Sequence, residues 1–112
     1  MHFDHTGNLL YGTYIGGDST DMALDLCVTP SNEIYTCGTS FSANFPAIGN
    51  QLSTYQGDAD GYVNRFQSNG TLTWSSLIGT TGEDVLNSIA ASSTGMVSVG
   101  GFSDSTGIPL SG

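Results

Sequence analysis

The stretch GNLLYGTYIGGDSTD, Gly7 to Asp21, is echoed later in the chain by GTLTWSSLIGTTGED, Gly70 to Asp84. Sliding the sequence by 63 residues lays 3–49 on 66–112 without a gap, and eleven of those 47 positions are identical. The identities are Phe3/Phe66, Gly7/Gly70, Leu9/Leu72, Ile15/Ile78, Gly16/Gly79, Asp21/Asp84, Gly38/Gly101, Ser40/Ser103, Ser42/Ser105, Pro46/Pro109 and Gly49/Gly112. They fall mainly on glycines, prolines and apolar positions, the residue types that set backbone geometry and core. Tyr11/Trp74, Thr13/Ser76, Leu26/Ile89 and Ile34/Val97 add conservative matches. A fixed period of this kind marks a repeat protein, and finding it constrains every later inference.

Within each unit the hydrophobic period is that of a strand. Leu9, Tyr11, Thr13 and Ile15 alternate with Leu10, Gly12 and Tyr14, as side chains do on the two faces of a sheet. The same reading predicts strands around Leu24–Val28, Ile34–Cys37, Tyr62–Phe66, Leu72–Ile78, Asn87–Ala91 and Met96–Phe102. TPSN, 29–32, and QSNG, 67–70, are turn clusters between them. No segment keeps a helical period over ten residues, so the chain is expected to be all-β. From Gly61 onward one unit holds four strands: YVNRF, LTWSSLI, NSIAA and MVSVGGF. Four antiparallel strands in a repeat too small to cover its own faces suggest the blade of a β-propeller. The expected organisation is a first, circularly phased repeat over 1–49, a connecting loop over 50–61 and a second repeat over 62–112.

The order GDADGYVNRF, SNGTLTWSSLIG, ED, hairpin, GGFS resembles the bacterial SBBP-type β-propeller repeat, as does DHTGNLLYGTYIGG followed by LDLCVTPSNEIYTCGTSFSANFP. Thr80 stands where the first unit has Gly17, Asn32 takes the hairpin glycine position, and GIP at 107–109 replaces NFP. The resemblance implies four-stranded antiparallel blades, about two of them in this chain. A closed propeller holds more. Copies of the chain, or further blades of a longer one, are therefore the expected partners.

Composition excludes some function classes. One Lys or Arg (Arg65) stands against ten acidic residues, for a net charge of −9. Phosphate backbones and anionic lipid surfaces need clustered cations, so neither nucleic acid nor a membrane surface is an expected partner. No apolar run has the length of a membrane span, and membrane insertion is not expected. Only 10% of residues are charged, while Ser and Thr fill 28 positions, an extracellular or cell-surface composition. MHFDHTGN has neither the basic region nor the apolar core of a signal peptide, so secretion would require a leader upstream.

Candidate chemistry is sparse. Asp58 and Asp60 in GDADG alternate before Gly61, a spacing that suits either Ca²⁺ ligation or a capped turn. Cys27 and Cys37 flank one hairpin with matching parity and are replaced together by Ala90 and Gly100, leaving a disulfide and two buried thiols both open. Asn69 heads the glycosylation sequon NGT on a turn. Trp74 and several tyrosines offer faces for sugar stacking, although strand aromatics more often pack a core. No GxSxG elbow and no histidine beyond the N-terminal His2 and His5 supports nucleophilic catalysis. The sequence thus points to a non-enzymatic repeat protein working by assembly or adhesion, without a cofactor unless Ca²⁺ serves. The alternative is a carbohydrate-binding or carbohydrate-processing propeller fragment with glycan partners.

Overall fold

Four turns set the strand ends, and they form two pairs one repeat apart. The Gly7 N–H donates to the Asp4 carbonyl at 3.1 Å, and Gly70 N–H to Gln67 at 2.9 Å. Asn32 N–H donates to the Thr29 carbonyl at 2.9 Å, and Gly95 N–H to Ser92 at 3.1 Å. This second turn requires a positive φ, met by Gly95 at 88° and Asn32 at 64°. Asn is among the few residues that enter the left-handed region readily, so the exchange of glycine for Asn32 keeps the turn. The Thr29 and Ser92 hydroxyls each accept the N–H of the residue four positions on, both at 3.2 Å.

The computed structural model describes residues 1–12, 14–45, 59–79 and 82–103. Its elements are β1 (His2–Phe3), β2 (Leu9–Tyr11), β3 (Asp21–Val28), β4 (Ile34–Ser40), β5 (Asp60–Phe66), β6 (Leu72–Ile78), β7 (Asp84–Ala91) and β8 (Val97–Ser103). All the described strand pairings are antiparallel, and the fold is all-β. The limits of β3 and β4 recur in β7 and β8 after a shift of 63 residues. Even the irregularity recurs: the ladder slips between Ala23 and Asp25, and again between Leu86 and Ser88. Opposite each slip lies a glycine, Gly38 or Gly101. A Cβ on Gly38 would overlap the Met22 carbonyl oxygen, and one on Gly101 the Val85 oxygen. That close backbone approach explains the glycine identity.

Two expectations change. β2 ends at Tyr11 rather than continuing to Ile15. The strands also group differently from the unit counted from Gly61. One sheet has the order β3-β4-β5-β6, flanked by the two-stranded sheets β1-β2 and β7-β8. The cause is β4, which pairs with β5 along its whole length from Ile34↔Phe66 to Ser40↔Asp60. After β6 the chain leaves this sheet, with a parallel bridge between Ala59 and Glu83 and with Asp84 N–H donating to the Ala59 carbonyl at 2.8 Å.

The four-stranded sheet has two unlike faces. One carries the rows Tyr35–Arg65–Trp74 and Cys37–Val63–Ser76. Here β7 packs on the sheet, placing Ile89 in a buried cluster with Tyr35, Cys37 and Val63, walled by Leu86 and Ala91 of β7 and by Val97 at the start of β8. Two polar links cross the layers: Ile89 N–H donates to Asp25 Oδ2 at 2.9 Å, and Thr39 Oγ1 donates to the Asp84 carbonyl at 3.0 Å. The other face holds a smaller cluster of Phe45, Tyr62 and Leu77, with the Phe45 and Tyr62 rings stacked at 4.7 Å. Beside it runs a buried polar row, where Ser75 Oγ donates to Asn64 Oδ1 at 2.6 Å and Asn64 Nδ2 to Thr36 Oγ1 at 3.4 Å.

Candidate functional site

Asp60 is fully buried at the start of β5, and its carboxylate lies against Gly79, where a Cβ would collide with it. Asp58, its proposed partner for Ca²⁺, lies outside the described residues. Among the described residues no group of three or more His, Cys, Asp or Glu is placed to hold a metal ion.

A carboxylate cluster forms instead at Asp21. Its oxygens accept the Ser40 hydroxyl, the Ser42 hydroxyl at 2.9 Å and the Gly17 N–H at 2.9 Å. Ser42 Oγ also accepts the Ser19 N–H at 2.9 Å, and Asn44 Oδ1 the Asp18 N–H at 2.9 Å. The loop entering β3 is thereby tied to the chain leaving β4. Asp21, Ser40 and Ser42 are each identical across the repeat, but strand periodicity does not bring them together. Polar identities in a repeat otherwise dominated by glycine and apolar positions were the available signal.

Cys27 and Cys37 are free thiols. Cys27 faces Tyr35 and Cys37 faces Asp25, so the cysteines share a face but are diagonal. Diagonal strand neighbours stand about 7–8 Å apart, at or beyond disulfide reach. Burial raises the Cys37 thiol to about 11, helped by the charge of Asp25 and by Cys27, and burial likewise raises Cys27. Both are poor nucleophiles near neutrality. Tyr62 is pushed up to about 12, first by burial and then by Cys37 and Asp21. Each of these groups has a folded pKa above its unfolded one and is neutral when protonated. Their stabilising contribution is complete below the unfolded values and is lost as pH rises through the folded ones. Stability is therefore expected to fall between pH about 9 and 12, read as a declining urea midpoint. In the native protein at pH 8, iodoacetamide should label Cys27 before Cys37, which is 0% exposed.

Trp74 is half-buried and packs against the Tyr35–Cys37–Val63–Ile89 cluster, beside an open groove lined by Arg65, Thr73 and Gly95. Core packing accounts for its contacts. Asn69 is exposed on its turn, and its Oδ1 accepts the Thr71 N–H at 3.0 Å. Arg65, the sequence's one Lys or Arg, forms an ion pair with Glu33. No described helix is long and apolar enough to cross a membrane.

The most distinctive surface is apolar. Leu24, Leu26 and Val28 of β3 are exposed, Leu26 by 59%, next to a cavity of about 380 Å³ that reaches Met1, Phe3 and Ile15. Phe102 and Val99 of β8, in the two-stranded sheet β7-β8, are also exposed, Phe102 by 57%. Comparison with protein-family models, curated proteins and solved structures gave no match.

Proposed function

We propose that this chain is a non-enzymatic, extracellular or cell-surface repeat protein, acting as a structural or adhesive unit in a β-propeller-like or filamentous assembly. One observation carries the reading: a complete four-stranded sheet is flanked by two half-sheets that leave large apolar side chains in solvent. Exposed apolar surface of this kind marks association sites. Packing of β7 on the four-stranded sheet gives the chain an internal example of how successive sheets stack. The hydroxyl-rich, weakly charged composition supports the extracellular setting.

The test is sedimentation velocity with negative-stain microscopy over a range of concentrations. Rings, filaments or a ladder of multiples of 11.6 kDa are expected. A monodisperse, well-folded monomer across that range would sink the assembly reading.

A further inference from the structure

The two exposed apolar surfaces are complementary by the logic of the repeat. The cavity beside Leu26 is lined by Ile15, Ala23, Leu26, Val28 and Ile34. One repeat later, the equivalent positions are Ile78, Leu86, Ile89, Ala91 and Val97. All five of those residues belong to the filled cluster around Tyr35, Cys37 and Val63. Among the described residues, the cavity is the unfilled counterpart of an interface that the same chain builds elsewhere.

We infer that the β7–β8 hairpin of a second copy occupies this cavity, its β8 edge adding to β1. This rests on the assembly reading above and specifies its interface. Within the chain, β4 pairs with β5 so that Ile34 lies opposite Phe66. Shifting Ile34 forward by one repeat gives Val97, and shifting Phe66 back gives Phe3. Val97 of one copy therefore pairs with Phe3 of the next, and the composite sheet has the order β7-β8-β1-β2, repeating β3-β4-β5-β6. Among the described residues β1 pairs with β2 and β8 with β7, and addition of β8 to β1 is the strand-addition mode that joins two such sheets into one. The face laid over Leu26 and Val28 carries Ser98 and Gly100 where the internal interface has Tyr35 and Cys37. Phe102 replaces Thr39 and supplies the bulk lost at those two positions. The contact is head-to-tail: it propagates, closing a ring or continuing as a filament.

The test is the Phe3→Cys/Val97→Cys chain under mild oxidation. Directly opposed strand residues approach to about 4.5–5.5 Å, within disulfide reach. A reducible ladder of dimers, trimers and longer species is expected, and none from the unsubstituted chain with its Cys27 and Cys37. Phe3→Lys, at a side chain 50% exposed, should weaken association at least tenfold and leave the thermal midpoint of the dilute protein unchanged. Normal assembly without the ladder and with Phe3→Lys neutral overturns this interface but leaves the assembly reading standing. Absence of any assembly overturns both.

Discussion

Replacing Gly38 with alanine is expected to be the most damaging single-methyl change in the protein. Gly38 lies on the central strand β4, and its added Cβ would stand 2.9 Å from the Met22 carbonyl carbon and overlap the carbonyl oxygen. The obstruction is backbone, at the point where the β3–β4 ladder slips, so rotamer changes cannot relieve it. β4 is bonded on both sides, to β3 and β5, which restricts its retreat. Overpacking costs about 1–3 kcal/mol where neighbours can shift, and Gly38→Ala should reach or exceed the upper end. Gly101→Ala meets the equivalent obstruction at Val85, but β8 is an edge strand and can move, so a smaller loss is expected. Gly100→Ala is the control, because its nearest neighbour is the mobile Ser88 hydroxyl at 2.8 Å. Its effect should stay within about 0.5 kcal/mol. Urea midpoints at constant m-value measure all three. Equal losses at Gly38 and Gly100 would show that the ladder slip imposes no special constraint.

The same glycines show what was legible in the sequence. Gly38 and Gly101 matched across the repeat, and the reason is a backbone contact that recurs with the ladder slip. Strand limits were read within a few residues wherever alternation was clear, as at Tyr62–Phe66, Leu72–Ile78 and Ile34 onward. Asn32 as a stand-in for the hairpin glycine was also legible, because few residues accept its φ. Strand partnership was not. Periodicity specifies which side chains share a face, but it does not say which edges meet, and the β4–β5 pairing closes over a long connection. For the cysteines, parity was legible in the sequence and register was not. Their diagonal placement depends on how the Thr29–Glu33 turn sets Cys27 against Tyr35. β2 shows the limit of alternation itself. Leu9 to Ile15 has the full pattern, yet the strand ends at Tyr11, where β1 offers only His2 and Phe3 as partners. A strand needs an edge to bond as well as a face to bury.

Asp21→Ala is the second large effect expected, and it tests whether the carboxylate cluster is a structural lock. Asp21 accepts from three donors, the Ser40 and Ser42 hydroxyls and the Gly17 N–H. Ser40 and Ser42 are almost fully buried, so donors stripped of this acceptor do not regain water. Hydrogen bonds to a charged group contribute about 1.5–3 kcal/mol each in net terms, and an abandoned buried donor adds its own desolvation cost. Part of this is recovered when the hydroxyls rotate, and Ser40 Oγ keeps the Ser42 N–H at 3.1 Å. A loss of about 3 kcal/mol is therefore expected for Asp21→Ala. Asp21→Asn keeps one acceptor oxygen, but it turns an NH₂ toward a donor and should cost about half as much. Ser42→Ala removes one bond to Asp21 and one from Ser19, for about 1 kcal/mol. The ordering Ala > Asn > Ser42→Ala is itself a prediction, because simple loss of a negative charge would make the two Asp21 variants equal. Hydrogen exchange gives the local readout. The Gly17 and Ser19 amides, bonded to Asp21 and Ser42, should exchange at least tenfold faster in Asp21→Ala, while Val63 in β5 slows or quickens only with global stability. Unchanged protection at Gly17 would show that the Asp21/Asp84 identity does not arise from this lock.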